Sequence, residues 1–200
     1  MILLKNVYKS FGTMHVFKDL NLQISENKIT CIIGKSGIGK TTLLSILAKL
    51  EHIDSGEIIN DNPKISFVFQ RDTLLPNTKV IDNFKYILGE IYDKENLESL
   101  VDTYLEKFGM LEKKYEYKEN LSGGMVQRIK IIQALLYSSD ILILDEPFKE
   151  LDEGIKDVFV AELKKLKKTI IISSHDLELV NNIADDVVDL NENQFSYTVV

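Results

Sequence analysis

The sequence predicts an α/β protein: a mostly parallel sheet core, an N-terminal antiparallel edge sheet and an inserted helical subdomain. Three observations predict it. Runs of β-branched and aliphatic residues recur at 29–33, 65–69, 141–144 and 169–173, apolar at almost every position, as in strands covered on both faces. Helical spacings follow them: Leu43, Leu44, Leu47 and Leu50 mark one face, and Ile155, Val158, Phe159, Leu163 and Leu166 another, with Glu162 as its lone polar member. From about Asp72 to Leu136 the apolar spacing is helical throughout and no strand pattern occurs.

Each element follows from its residues. Leu4, Val7, Tyr8, Phe11, Val16, Leu20, Leu22 and Ile24 place an antiparallel edge sheet in the first 25 residues. The 29–33 and 65–69 runs open the parallel sheet around the first crossover helix. In the lobe, Val80, Ile81, Phe84, Ile87 and Leu88 share one face. Leu97, Leu100, Val101, Tyr104, Leu105 and Phe108 share a second, closed by Gly109. The charged stretch 112–119 reads as a solvated connection, and residues 191–200 as one more short strand. The domain expectation is one catalytic domain, with 1–71 and 137–200 as its core and 72–136 as the helical subdomain.

The 200 residues are 44% hydrophobic and 28% charged, enough to bury a core. Lys and Arg number 24 against 31 Asp and Glu, a net charge of −7. That balance argues against a broad basic face, so nucleic acid is not expected as a partner. It leaves room for a local phosphate pocket. Cys31, the single cysteine, forms no internal disulfide and fits a reducing compartment. Lys5 interrupts the opening apolar run, and no stretch approaches the roughly 20 apolar residues of a membrane span. The expectation is a chain with neither leader nor span.

GKSGIGKT, at 34–41, fits G-x-x-x-x-G-K-[ST] between an apolar strand and a helix, the context that a phosphate loop requires. In the loop of Gly34, Lys35, Ser36, Gly37, Ile38 and Gly39, the three glycines let consecutive N–H groups curl around an anion at a helix N-terminus. Lys40 supplies charge to the β- and γ-phosphates, and the Thr41 hydroxyl can ligate Mg²⁺. The expected fold is therefore a P-loop NTPase.

The strand-like runs also end in residues suited to phosphoryl chemistry. The 29–33 run leads to Gly34 and Lys40, and 65–69 to Gln70. The 141–144 run leads to Asp145 and Glu146, and 169–173 to His175. In a parallel sheet these carboxyl ends share one edge, where α/β folds bind ligands. Asp145 is expected to hold Mg²⁺, and Glu146, on the opposite side of the strand, to face the attacking water. Gln70 can orient that water or bind the metal, and His175 can donate a hydrogen bond to the γ-phosphate. His15 and His52 read as ordinary surface or core histidines.

LSGGMVQR, at 121–128, opens an amphipathic helix with two glycines behind a serine, a second helix N-terminus suited to an anion. Standing between the phosphate loop and Asp145-Glu146-Pro147, it resembles the signature motif of ABC-type ATPases. Phe11-Gly12, Thr42, Leu151-Asp152 and Ser174-His175-Asp176 extend the resemblance along essentially the whole chain. It implies ATP and Mg²⁺ as cofactors and a head-to-tail dimer of identical or paired ATPase subunits. Each of two ATP would then lie between one phosphate loop and Ser122, Gly123 and Gly124 of the other subunit. It further implies that Phe11 stacks on adenine, with Tyr8 as the competing candidate and a core aromatic as the alternative, and that Asp152 helps position the partner's site. The implied function is the ATP-hydrolysing motor of a transporter, at the cytoplasmic face of the membrane through permease subunits.

The stretch 67–84 looks like that of ATPase subunits of importers for nitrate, sulfonates, taurine or thiamine precursors, with a substrate-binding protein as a further partner. The pattern departs from the family at Asn27-Lys28, Met125 and Lys149-Glu150. Met125 stands where the family usually has glutamine, which bears on hydrolysis more than on binding. The end of the chain soon after the sheet leads to the expectation that no regulatory domain follows. Two other readings stay open: a soluble, non-transport ABC ATPase, and a low-turnover nucleotide switch.

Overall fold

The computed structural model describes residues 1–191, and internal contacts divide the chain into two compact units. The first holds residues 1–67, 139–146 and those from 167 onward; the second holds 68–138 and 147–166.

The first unit contains two sheets. β1 (Ile2–Phe11), β2 (Met14–Ile24) and β4 (Ser55–Ile59) form an antiparallel sheet in the order β2-β1-β4. β1 and β2 are the edge strands expected from the alternating apolar residues. β4 went unrecognised because four of its five positions are exposed, so its SGEII sequence carries no apolar repeat.

The second sheet is parallel, with β3 (Ile29–Ile33), β5 (Ile65–Val68), β6 (Ile141–Asp145), β7 (Thr169–Ser173) and β8 (Asp186–Asp189) in the order β5-β6-β7-β3-β8. All five residues of both β6 and β7 are buried, which is why they read as continuous apolar runs. β8 offered only Val187 and Val188 between aspartates. The strand expected at 191–200 lies outside the described residues, apart from Asn191. Leu43, Leu44, Ile46 and Leu47 of α1 (Lys40–Leu47) pack into one core with Ile143, Ile171 and the inward residues of β1 and β2. Each such aliphatic side chain contributes about 1.5–3 kcal/mol on burial. Register then does the functional work: Ser173 pairs with both Ile32 and Asp145, so β3, β6 and β7 end level with one another. α6 (Leu177–Ile183) follows β7, with Asp176 as its N-cap.

Cys31 is 1% exposed in β3. Burial, with Asp185 as a second cause, pushes its thiol up to about 12. At pH 8 the native protein should therefore react negligibly with a thiol reagent, and full labelling should appear only as denaturant unfolds it. Rapid labelling of the native protein would show that this strand opens locally.

The second unit is helical: α2 (Val80–Leu88), α3 (Lys94–Lys107), α4 (Gly123–Leu136) and α5 (Glu153–Lys165). Phe159 of α5 meets Phe108 edge-on at 6.5 Å and Phe148 at 5.0 Å between ring centroids. Glu162, the odd polar member of its apolar face, is buried and accepts bonds from Lys165 at 2.7 Å, Lys107 at 3.1 Å and the Tyr104 hydroxyl at 3.2 Å. Burial opposes its charge, yet the two ammonium groups prevail and hold the carboxyl below its ordinary range. The 112–119 stretch is more than a solvated connection. It contains the 3₁₀ turns Leu111–Lys113 and Lys118–Asn120, and Lys114 is buried against Asp102 at 2.6 Å and Glu98 at 3.4 Å. A lysine stem is apolar enough to enter the lobe when its ammonium group finds carboxylates there.

Candidate functional site

The phosphate loop follows β3 and ends in the N-terminus of α1. Gly34, Gly37 and Gly39 have φ of 151°, 78° and 115°, backbone that a side chain would strain. At Gly39 a Cβ would also stand 2.7 Å from Val16 and 3.1 Å from the Phe17 ring, so the turn must be glycine twice over. The Lys35 N–H donates to Asn191 Oδ1 at 2.9 Å. Lys40, only 9% exposed, arches back over the loop and donates to the Gly34 carbonyl at 2.8 Å. Ser36, Ile38 and Thr42 complete the loop and the first turn of the helix.

One network joins the strand ends. Thr41 Oγ1 donates to Asp145 Oδ2 at 2.8 Å. Ser173 Oγ donates to Asp145 Oδ1 at 2.6 Å and accepts from the Glu146 N–H at 2.8 Å. Glu146 leaves β6 with φ 48°, a left-handed conformation, so its direction is set by a turn and not by strand alternation as the sequence suggested. Its carboxylate lies 2.9 Å from His175 Nδ1 through Oε2 and 3.7 Å from Lys40 Nζ through Oε1. The structure thus brings Lys40, Thr41, Asp145, Glu146 and His175 together. It adds Ser173, which read from sequence as nothing more than the end of an apolar run.

The residues present suit Mg²⁺. Magnesium at a nucleotide takes a hydroxyl and one or two carboxylates and keeps substrate phosphates and water for the rest, and here a threonine hydroxyl already touches a buried carboxylate.

Phe11 is 45% exposed, so it packs in no core, and Lys9 Nζ stands 4.6 Å above its ring. Tyr8 is similarly exposed at 42%, and exposure does not separate the two candidates. His15 pairs with Ser10 at 2.9 Å, a surface role.

The remaining predicted residues belong to the second unit. Ser122 caps α4 by accepting from the Met125 N–H at 3.3 Å. Gly123 and Gly124 begin that helix under Glu150, and a Cβ at Gly124 would stand 2.7 Å from the Glu150 carbonyl oxygen. Asp152 caps α5 through the Ile155 N–H at 3.1 Å and pairs with Arg128 at 2.5 Å. Gln70 is exposed beside Phe69 and Arg71, whose carbonyls both accept from Lys130. Arg128 and Lys130 escaped the sequence reading because a basic residue in an amphipathic helix pattern looks solvent-facing until its partners are placed.

A buried strand, a phosphate-binding loop, a helix and a carboxylate at a neighbouring strand end define a phosphate-loop NTPase. Residues 17–149 match the family model described as "ABC transporter", and the chain belongs to that family, as an ATPase cassette. It is 34% identical to the glutamine transport ATP-binding protein GlnQ of Geobacillus stearothermophilus, over 96% of this chain and 87% of the relative. It is 34% identical to the aliphatic sulfonates import ATP-binding protein SsuB of Zymomonas mobilis, over 96% of this chain and 83% of the relative. It spans 59% of the longer sulfate/thiosulfate import ATP-binding protein CysA of Mannheimia succiniciproducens, at 33% identity over 96% of this chain. Among solved structures it is similar to the dimeric cassette MJ0796, described as a bacterial ABC transporter cassette, with a TM-score of 0.83 and 28% identity over 94% of each chain. A second MJ0796 structure, a post-hydrolysis state bound to ADP and Pi, has a TM-score of 0.84 at 28% identity, again over 94% of each chain. No helix among the described residues is long and apolar enough to cross a membrane.

Proposed function

We propose that this ATPase is the motor subunit of an importer for a small solute, acting at the cytoplasmic face of the membrane through permease subunits. The observation that carries the chemistry is Glu146 held between His175 and Lys40, one residue beyond an Asp145 bound to Thr41. In this reading Lys40 exchanges its loop carbonyls for β- and γ-phosphate oxygens, and Phe11 stacks on adenine. Thr41, Asp145 and Gln70 would hold Mg²⁺, which would supply positive charge beside the transferred phosphoryl group. Glu146 orients and deprotonates the attacking water, while His175 fixes the Glu146 carboxylate and donates to the γ-phosphate. Two chains sandwich two ATP head to tail, with Ser122, Gly123 and Gly124 of each presenting a helix N-terminus to the partner's nucleotide and Asp152 steadying the facing site. Residues 72–136 act as the helical signature subdomain. The dimeric cassette and the import subunits to which the chain is similar support this reading, and a substrate-binding protein fits as a third component.

The permease contact is placed on the helical lobe. Leu74, Val80 and Phe84 are consumed by the lobe's own core, at 6%, 1% and 0% exposure. Tyr86 and Ile87 stay outside it, at 74% and 40%. Such apolar side chains on one helix suit a short helix from a membrane subunit. Tyr86→Asp should abolish copurification with the permease subunits while basal ATP hydrolysis stays within about threefold of the unaltered protein. An intact complex in that variant would put the contact elsewhere.

A further inference from the structure

We infer that Lys130 is the positioning residue for Gln70, tying the segment that carries this glutamine to the helix that begins at the signature serine. The inference rests on the proposed role of Gln70 beside the nucleotide.

Lys130 lies in the middle of α4 and is 4% exposed. Its Nζ donates to the carbonyl of Phe69 at 2.7 Å and to that of Arg71 at 2.8 Å. These are the two residues flanking Gln70, so the chain wraps the ammonium group at this point and leaves the glutamine exposed. Hydrogen bonds from a charged donor are shorter and stronger than neutral ones, and both carbonyls fall in the short range. Burial lowers the lysine pKa, against the pull of Asp72 and Glu150, so the two carbonyls are what make an ammonium group tolerable there.

The helix uses the same device on either side. Gln127, one turn earlier, donates through Nε2 to the Pro147 carbonyl at 2.9 Å, and Gln133, one turn later, to the Asn83 carbonyl at 3.1 Å. All three side chains are buried. One polar line along α4 therefore grips two loops and helix α2 by their backbones. The Lys130 grip is the one that brackets a proposed site residue. Displacement of Ser122–Gly124 by a partner's nucleotide would be carried along a rigid helix, about 1.5 Å per residue, to the backbone around Gln70. Lys130 thereby couples the surface offered to one nucleotide to the glutamine that serves the other.

The test is a kinetic cycle on the full-length protein. Lys130→Met keeps the stem and volume and removes both bonds; its kcat for Mg-ATP should fall about tenfold with KM changed less than about twofold. Lys130→Arg, which retains two donors, should recover most of that loss. In a Gln70→Ala background Lys130→Met should cost no more than about twofold further, because the residue acts through Gln70. Losses that multiply in the double variant would make Lys130 a general structural residue and overturn the inference. So would full turnover in Lys130→Met while Gln70→Ala is slow. Full turnover in Gln70→Ala itself would overturn the role of Gln70 first, and the inference with it. Should Lys130→Met not fold, Lys130→Leu, which likewise has no donor, carries the same comparison in both backgrounds.

Discussion

Replacing Glu146 by glutamine should leave ATP binding within about threefold of normal and lower hydrolysis by on the order of a hundredfold or more. The expectation comes from the geometry of one carboxylate. Oε2 lies 2.9 Å from His175 Nδ1, a distance that an amide oxygen can keep. The side chain therefore holds its place while losing the basicity that the proposed base role requires. The phosphate loop and Thr41 are untouched, so the nucleotide still finds its ligands. Phosphate release under saturating Mg-ATP measures the change. Near-normal turnover would move the base role to another residue.

Ser173→Ala should have the second-largest effect, and nothing in the sequence marks the residue. Its hydroxyl donates to Asp145 Oδ1 at 2.6 Å and accepts from the Glu146 N–H at 2.8 Å. Removing it leaves a fully buried carboxylate oxygen short of a donor and a strained turn short of an acceptor. Each orphaned group costs about 1–3 kcal/mol. Turnover should fall about ten- to a hundredfold, because the hydroxyl positions both acidic residues at once, and the melting temperature should drop by several degrees. Ser173→Thr, which keeps the hydroxyl, should retain most activity. A Ser173→Ala enzyme with unchanged kcat would show that the strands alone align Asp145 and Glu146.

The contrast between these residues shows what the sequence made legible. Glu146 and Asp145 were visible because chemistry closes an apolar run that a buried strand explains. Ser173 was invisible because its role depends on register: pairing with both Ile32 and Asp145 is a property of three strands and not of one. The same distinction separates α1 to α5, whose apolar spacing announces them, from β4 and β8, which are short and gain their order from neighbours. Lys114 and Lys130 show a third kind of loss. Charge in a sequence reads as solvent, yet both ammonium groups are buried, one against carboxylates and one against backbone carbonyls. The direction of Glu146 also needed the structure: strand alternation was expected to turn it, and a left-handed backbone does so instead.

The mass and nucleotide content of Glu146→Gln with saturating Mg-ATP decide whether two copies of this site close around two nucleotides, as proposed above. The chain has a mass of 22.9 kDa. Light scattering on the eluting protein should give twice that value with ATP, with one ATP recovered per chain, and a monomer when ATP is withheld. A monomer that carries ATP at saturation, at any protein concentration up to roughly a hundred micromolar, would rule out the closed dimer.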